Sequence, residues 1–219
     1  MAVEIELKAH LDDFAPVKER LSVLGEYCRS YTKSDTYWLP RQTAARQLVA
    51  SIPSGVRVRR DRGIDADGAA HEAILVTYKT KEISDGIEVN DESEFTVSDA
   101  APFETLLGHL GLSEAIRKEK QGWAWNIPPA AEPSAPMTVT SGASVTEQPP
   151  ILAELSSVAG LGWFLEIEIQ AANDQRQTVE ESRRRLLALL EKLEIPPDRI
   201  EPRPYTVMLK EVKNYPPNN

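Results

Sequence analysis

Residues 3–9 alternate strictly, with Val3, Ile5 and Leu7 on one side and Glu4, Glu6 and Lys8 on the other. A period of two marks a strand with one apolar face. The same pattern predicts strands over 35–39, 55–60, 73–81, 88–97, 116–126, 151–158 and 162–171. Elsewhere the period changes to that of a helix. After Asp12-Asp13, Val17, Leu21 and Leu24 form one stripe that ends at Gly25. Pro102 opens a second helix carrying Phe103, Leu106, Leu107 and Leu110, closed by Gly111. A long third helix, 178–193, carries Leu186, Leu187, Leu190 and Leu193 and stops at Pro196-Pro197. A short last helix starts near Pro204 and includes Tyr205, Met208 and Leu209. Strands of this kind with a few helices predict an antiparallel α+β protein whose helices cover the apolar strand faces.

Two stretches fall outside this pattern. Residues 60–70 contain Asp67-Gly68 and predict a hairpin loop. Residues 127–150 hold six of the sixteen prolines, with Ser, Thr, Ala and Gly and hardly any large apolar side chain. That composition predicts a flexible insertion within a single domain spanning 1–219.

Charge narrows the function classes. The net charge of −9 argues against nucleic acid or an anionic membrane as partner. One cysteine, Cys28, excludes an internal disulfide framework, and three scattered histidines (His10, His71, His109) form no metal motif. The N-terminus lacks the apolar core of a signal peptide, and no stretch is long enough to span a membrane, so a cytoplasmic location is expected.

The polar strand faces carry the candidate chemistry. Same-sign residues stand two apart: Glu4 and Glu6 (with Lys8), Arg57 and Arg59, Lys79 and Lys81, Glu92 and Glu94, Lys118 and Lys120, Glu166 and Glu168; Glu154 shares a face with Ser156. Any one pair alone is an ordinary solvated strand face. Like charges gathered strand after strand are destabilising unless something binds them. Clustered carboxylates suit a hard cation such as Mg²⁺ or Mn²⁺, and clustered Lys and Arg suit phosphate oxygens. Both together predict a polyphosphate–metal complex as ligand.

Glu4-Ile5-Glu6-Leu7-Lys8 resembles the N-terminal E-x-E-x-K signature of the CYTH, or triphosphate tunnel metalloenzyme, superfamily. Later segments follow in the order typical of that family: Asp35-Thr36-Tyr37, Val56-Arg57-Val58-Arg59, Thr77-Tyr78-Lys79, Glu92-x-Glu94, Lys118-x-Lys120, and Gly160-Leu161-Gly162-Trp163-Phe164-Leu165-Glu166-Ile167-Glu168. The resemblance implies a closed eight-stranded antiparallel β tunnel with helices outside. It implies metal-dependent chemistry on a triphosphate, with Glu4, Glu6, Glu166 and Glu168 on Mg²⁺ or Mn²⁺ and Glu92, Glu94 and Glu154 as further candidates. Lys8, Arg57, Arg59, Lys79, Lys118, Lys120 and Arg203 would grip the phosphates, and Glu4, Glu6, Lys8 and Lys79 would be the catalytic set. Three departures stand out: Asn90 where the family often has Arg, Lys120 where it has Arg, and Ser156 where it has Asp. Arg203-Pro204-Tyr205 resembles the family's R-x-S-Y without its Ser.

The expected activity is hydrolysis of a nucleoside, thiamine or inorganic triphosphate. An adenylyl cyclase making cyclic AMP from ATP and a non-catalytic polyphosphate binder are the alternatives. The remaining motifs are read as structural: 61–72 as no calcium loop, Arg183-Arg184-Arg185 as a solvated face, Trp123 and Trp125 as strand packing, and Cys28 as a small buried hydrophobe.

Overall fold

A computed structural model describes residues 3–40, 55–84, 87–129, 148–173 and 175–212, without the side chains of 79–84 and 87–92. The described strands are β1 (Val3–Leu11), β2 (Glu26–Pro40), β3 (Val56–Asp65), β4 (Ala70–Ser84), β5 (Ile87–Thr96), β6 (Leu112–Ile127), β7 (Ile151–Val158) and β8 (Gly162–Ala171). The helices are α1 (Ala15–Leu24), α2 (Ala100–His109), α3 (Arg176–Lys192) and α4 (Tyr205–Glu211), with a 3₁₀ turn at Pro197–Arg199. The strands form one curled antiparallel sheet in the order β1-β5-β4-β3-β2-β6-β7-β8. β1 pairs with β8 along its whole length, Val3 opposite Ala171 through Leu11 opposite Trp163. On its other side it pairs with β5 only from Glu4 opposite Asn90 to Leu7 opposite Ile87.

The apolar positions of the alternating strands point outward and are covered by helices. Ile5, Leu7, Ile167 and Ile169 of β1 and β8 pack with Ala153 and Leu155 of β7 against Val17 and Leu21 of α1 and Leu186, Leu189 and Leu190 of α3. A smaller cluster places Val56, Val58 and Val76 under Ala100 and Leu107 of α2. Trp125 is buried and Trp123 stacks on Trp163 at 6.0 Å, with Phe14 stacked on Trp163 at 4.0 Å. Both tryptophans thus pack outside the sheet, as expected.

Helix ends follow the local chemistry. Asp99 caps α2, its carboxylate accepting from the Ala101 N–H at 3.0 Å, so α2 begins before Pro102. Gly25 ends α1 for a reason other than a left-handed cap. Its φ is −144°, and a Cβ there would stand 2.3 Å from the Ile127 side chain, so what needs glycine is close approach.

Several expectations are corrected. β2 begins at Glu26, directly after α1, instead of at 35. Its outward residues Ser30, Thr32 and Ser34 are polar, so no apolar alternation announced it. The loop expected over 60–70 shrinks to a turn at 66–69, where Gly68 has φ 86° and the Asp65 N–H donates to Ala69 O at 2.9 Å. Cys28 is only half-buried, with its thiol near Glu26 O. Arg185 of the expected solvated run is half-buried and donates to Pro149 O. Ile127, expected at the start of the insertion over 127–150, is instead buried at the end of β6 opposite Ile151; residues 130–147 lie outside the described residues.

The outward core makes a measurable claim. Leu186 is fully buried on α3 while its neighbour Leu187 is 42% exposed. Leu186→Ala should cost about 2–5 kcal/mol and Leu187→Ala under about 1 kcal/mol. Urea unfolding of the two variants checks this, and similar losses would mean that α3 packs with a different face.

Candidate functional site

The inward face of the sheet lines a cavity of about 650 Å³. Strand order, more than sequence order, sorts its charges. β7, β8, β1 and β5 are contiguous and bring Glu154, Glu166, Glu168, Glu4, Glu6 and Glu94 to the lining. β3, β2 and β6 are contiguous and bring Arg57, Arg59, Arg29, Lys33, Lys118 and Lys120. The cavity therefore has an acidic side and a basic side, with Lys8 lying among the acids.

On the basic side, β2 supplies carboxylate and ammonium groups alternately to both neighbours. Asp35 stands opposite Arg59 on β3 and Lys118 on β6. It accepts from the Arg59 guanidinium at 2.7 and 3.0 Å and from Lys118 Nζ at 2.9 Å. Burial works to raise the Asp35 carboxyl, but Arg59 and Lys118 outweigh it and hold it well below the usual carboxylate range. Lys33 stands directly opposite Lys120, a like-charge pair that would repel. Glu154 on β7 resolves it, accepting from Lys33 with one oxygen and from Lys120 at 2.9 Å with the other. Burial raises the Glu154 carboxyl, yet Lys120 and Lys33 pull it well below normal. Lys120 also meets Glu166, and burial with the charges of Lys33 and Lys118 lowers its ammonium to about 8 against the pull of Glu154. Arg57 donates to Thr77 Oγ1 at 2.9 Å, and the Thr77 hydroxyl donates to Glu94 at 2.9 Å. Arg29 pairs with Asp61 at 3.1 Å.

The acidic side differs. Glu6 stands directly opposite Glu168 across β1 and β8, and Glu4 is two residues away on the same face. Burial, then the charges of Glu4, Glu154 and Glu6, push the Glu168 carboxyl up to about 8. Excess negative charge walled by carboxylate oxygens is the donor set that Mg²⁺ or Mn²⁺ takes, so these residues fit such an ion. Among the described residues no three His, Cys, Asp or Glu side chains stand close enough together to ligate one as they are placed.

Of the residues expected from sequence, Glu4, Glu6, Lys8, Arg57, Arg59, Glu94, Lys118, Lys120, Glu154, Glu166 and Glu168 all line this one cavity. Glu94 and Glu154, expected as further metal candidates, are engaged by Arg57 through Thr77 and by two lysines. Ser156 is fully buried between Gly122 and Phe164 on the neighbouring strands, whereas Glu154 reaches the lining. Lys79 and Glu92 are register partners on β4 and β5; their side chains lie outside the described residues. Arg203 is a correction. Its guanidinium pairs with Glu201 and Glu211 on the exposed side of the chain, and only its backbone carbonyl reaches the site, accepting from Lys8 Nζ at 2.6 Å. Sequence reasoning missed Arg29, Lys33, Asp61 and the inward rings of Tyr31 and Tyr205. Extending the parity of Asp35 and Tyr37 back to Lys33, Tyr31 and Arg29 would have found three of them.

Residues 2–205 match the family model of the CYTH domain. The chain belongs to the CYTH family. Solved structures agree with this CYTH fold. The PH1819 protein of Pyrococcus horikoshii OT3 aligns over 95% of this chain and 98% of its own, with TM-score 0.67 and 22% identity. A Vibrio parahaemolyticus protein assigned as an adenylate cyclase aligns over 94% and 97%, with TM-score 0.64 and 16% identity. A Hippeastrum protein, HpAC1, described with a dominant triphosphatase activity, aligns over 90% and 89%, with TM-score 0.50 and 15% identity. No curated protein matches the chain. Among the described residues no helix is long and apolar enough to cross a membrane.

The two kinds of carboxylate in this CYTH cavity should respond oppositely to neutralisation. Glu154→Ala strands the buried Lys33 ammonium and leaves Lys120 with Glu166 alone, and should cost about 3 kcal/mol of stability. Glu168→Gln replaces a carboxyl that burial and its like-charged neighbours already hold largely protonated at neutral pH, and should cost little or stabilise. Denaturant midpoints without added metal measure both, and equal losses would contradict the pairing described.

Proposed function

We propose that the protein hydrolyses a triphosphate in a divalent-metal-dependent reaction within a tunnel formed by closure of the eight-stranded sheet. The pairing of β1 with both β8 and β5 supports closure, and CYTH membership supports the reaction class. One observation carries the reading: a single cavity holds an acidic wall whose Glu168 carboxyl is pushed up to about 8, joined to a wall of buried Lys and half-buried Arg.

Glu4, Glu6, Glu166 and Glu168 would hold Mg²⁺ or Mn²⁺. A bound ion of this kind neutralises phosphate charge and lowers the pKa of an attacking water. Phosphoryl transfer asks the protein for positioning and electrostatic stabilisation more than for covalent groups. Arg57, Arg59, Lys118, Lys120 and Lys8 would bind phosphate oxygens, and Lys33 joins them from β2. Asp35 fixes the Arg59 fork and the Lys118 ammonium before ligand arrives, while Glu154 does the same for Lys33 and Lys120. Such preorganisation limits the ordering cost at binding. Lys79 extends the basic strands through β4, next to β3 in the sheet. Hydrolysis needs only this phosphate-and-metal constellation, and the triphosphatase activity described for the Hippeastrum protein is of the same class.

Incubation with Mg²⁺ or Mn²⁺ and ATP, thiamine triphosphate or tripolyphosphate, followed by chromatography of the products, tests the proposal. Phosphate should be released, and metal chelation should abolish it. Metal with tripolyphosphate should also stabilise the fold by about 4 kcal/mol at a thousandfold excess over Kd. Cyclic nucleotide and pyrophosphate as products would overturn hydrolysis in favour of cyclisation. Absence of both stabilisation and turnover would overturn the triphosphate site altogether.

A further inference from the structure

Tyr205 opens α4 and lines the cavity while being only 6% exposed. The segment before it is fastened along β1. Ile200 bridges to Ala9, the Glu201 N–H donates to Lys8 O at 2.8 Å, and Lys8 Nζ donates to Arg203 O at 2.6 Å. The ring is therefore held in place from the site itself. Phe164 packs edge-on against it at 5.1 Å, with Val158 and Met208 in the same cluster. Two ammonium groups lie over the ring, Lys8 Nζ at 4.3 Å and Lys118 Nζ at 4.8 Å from its centroid.

The hydroxyl makes no hydrogen bond to any described residue. Buried polar groups are nearly always satisfied, so an orphaned hydroxyl on a residue that lines the cavity points to a ligand. Burial, then the charge of Glu6, keeps the phenol protonated far above neutral pH, which makes it a donor toward an anionic oxygen. Its two neighbouring cations are of the kind that draw phosphate.

We propose that Tyr205 is a ligand-binding residue whose hydroxyl donates a hydrogen bond to a phosphate oxygen of the anion held in the cavity. This rests on the triphosphate reading above. A purely structural tyrosine would use its ring alone, and Phe would replace it without effect on binding.

The test compares wild type with Tyr205→Phe, which keeps the ring and both cation contacts. Melting temperature is followed against tripolyphosphate concentration at fixed Mg²⁺ and ionic strength, giving an apparent Kd for each protein. Kd should rise about tenfold in the variant, the effect of losing one hydrogen bond to a charged group. The melting temperature without ligand should stay the same or rise, because the group removed has no protein partner. Equal Kd values overturn the proposal and leave the triphosphate reading standing. A lower unliganded melting temperature with unchanged Kd gives the hydroxyl a structural role and also overturns it. If wild type shows no shift, the triphosphate reading fails and this inference fails with it.

Discussion

A strand that turns Glu4, Glu6 and Lys8 inward must obtain its stability from the opposite face. Ile5 and Leu7 are completely buried outside the sheet, under α1 and α3. Burying charge costs free energy unless each group is compensated, and apolar burial is the dominant favourable term in folding. The fold thus separates the two demands by strand parity. Each strand gives one face to the helices and the other to the cavity, and a register slip of one residue would exchange them. The fixed pairing of β1 with β8 along its length is what keeps carboxylates on one side and isoleucines on the other.

Within the cavity the two sides solve like-charge repulsion differently. Lys33 and Lys120 face one another directly, and the protein itself supplies Glu154 between them. Asp35 does the same for Arg59 and Lys118. Glu6 and Glu168 also face one another directly, and burial with the charges of Glu4, Glu154 and Glu6 raises the Glu168 carboxyl to about 8. The basic wall is thus organised by internal carboxylates before any ligand binds, whereas the acidic wall keeps an excess of its own sign. On the proposed reading, a ligand that brings both a cation and a polyanion would satisfy that asymmetry, the cation meeting the carboxylates while phosphate oxygens replace or share the protein's own acceptors.

How much of this could be read from sequence depended on what covered each strand. β1 and β8 have a helix-covered outer face and a charged inner face, so the alternation of Val3–Lys8 and of Leu165–Glu168 was legible, and with it the acidic pair of strands. β2 was legible only from Asp35 onward. Its outer residues Ser30, Thr32 and Ser34 are polar, so period two carried no hydropathy contrast, and Lys33 and Arg29 were missed. Asp61 was hidden for a related reason, since Val58 is the last apolar residue of β3 before Ile64 and the hydrophilic stretch imitates a loop. Arg203 was misplaced because position in a motif does not tell side chain from backbone. The segment does reach the site, but through its carbonyl and through Tyr205.

The distribution of core around the sheet has a consequence for the chemistry. The largest apolar cluster backs β1, β7 and β8, the strands that carry Glu4, Glu6, Glu154, Glu166 and Glu168, and reaches β6 only at Trp123–Ile127, beyond the Lys118–Lys120 pair. Only the small α2 cluster backs β3 and β4. Carboxylates that are to share a hard cation must be held to within fractions of an ångström by a well-packed support. Phosphate-binding cations tolerate more, since Lys is a flexible point charge and Arg can meet an oxyanion in more than one way. On the proposed reading, the best-supported strands therefore carry the groups with the strictest geometric demand. Arg57 and Arg59, on the more thinly backed β3, are held instead by polar partners, Thr77 and Asp35, which restore locally the orientation that packing supplies elsewhere.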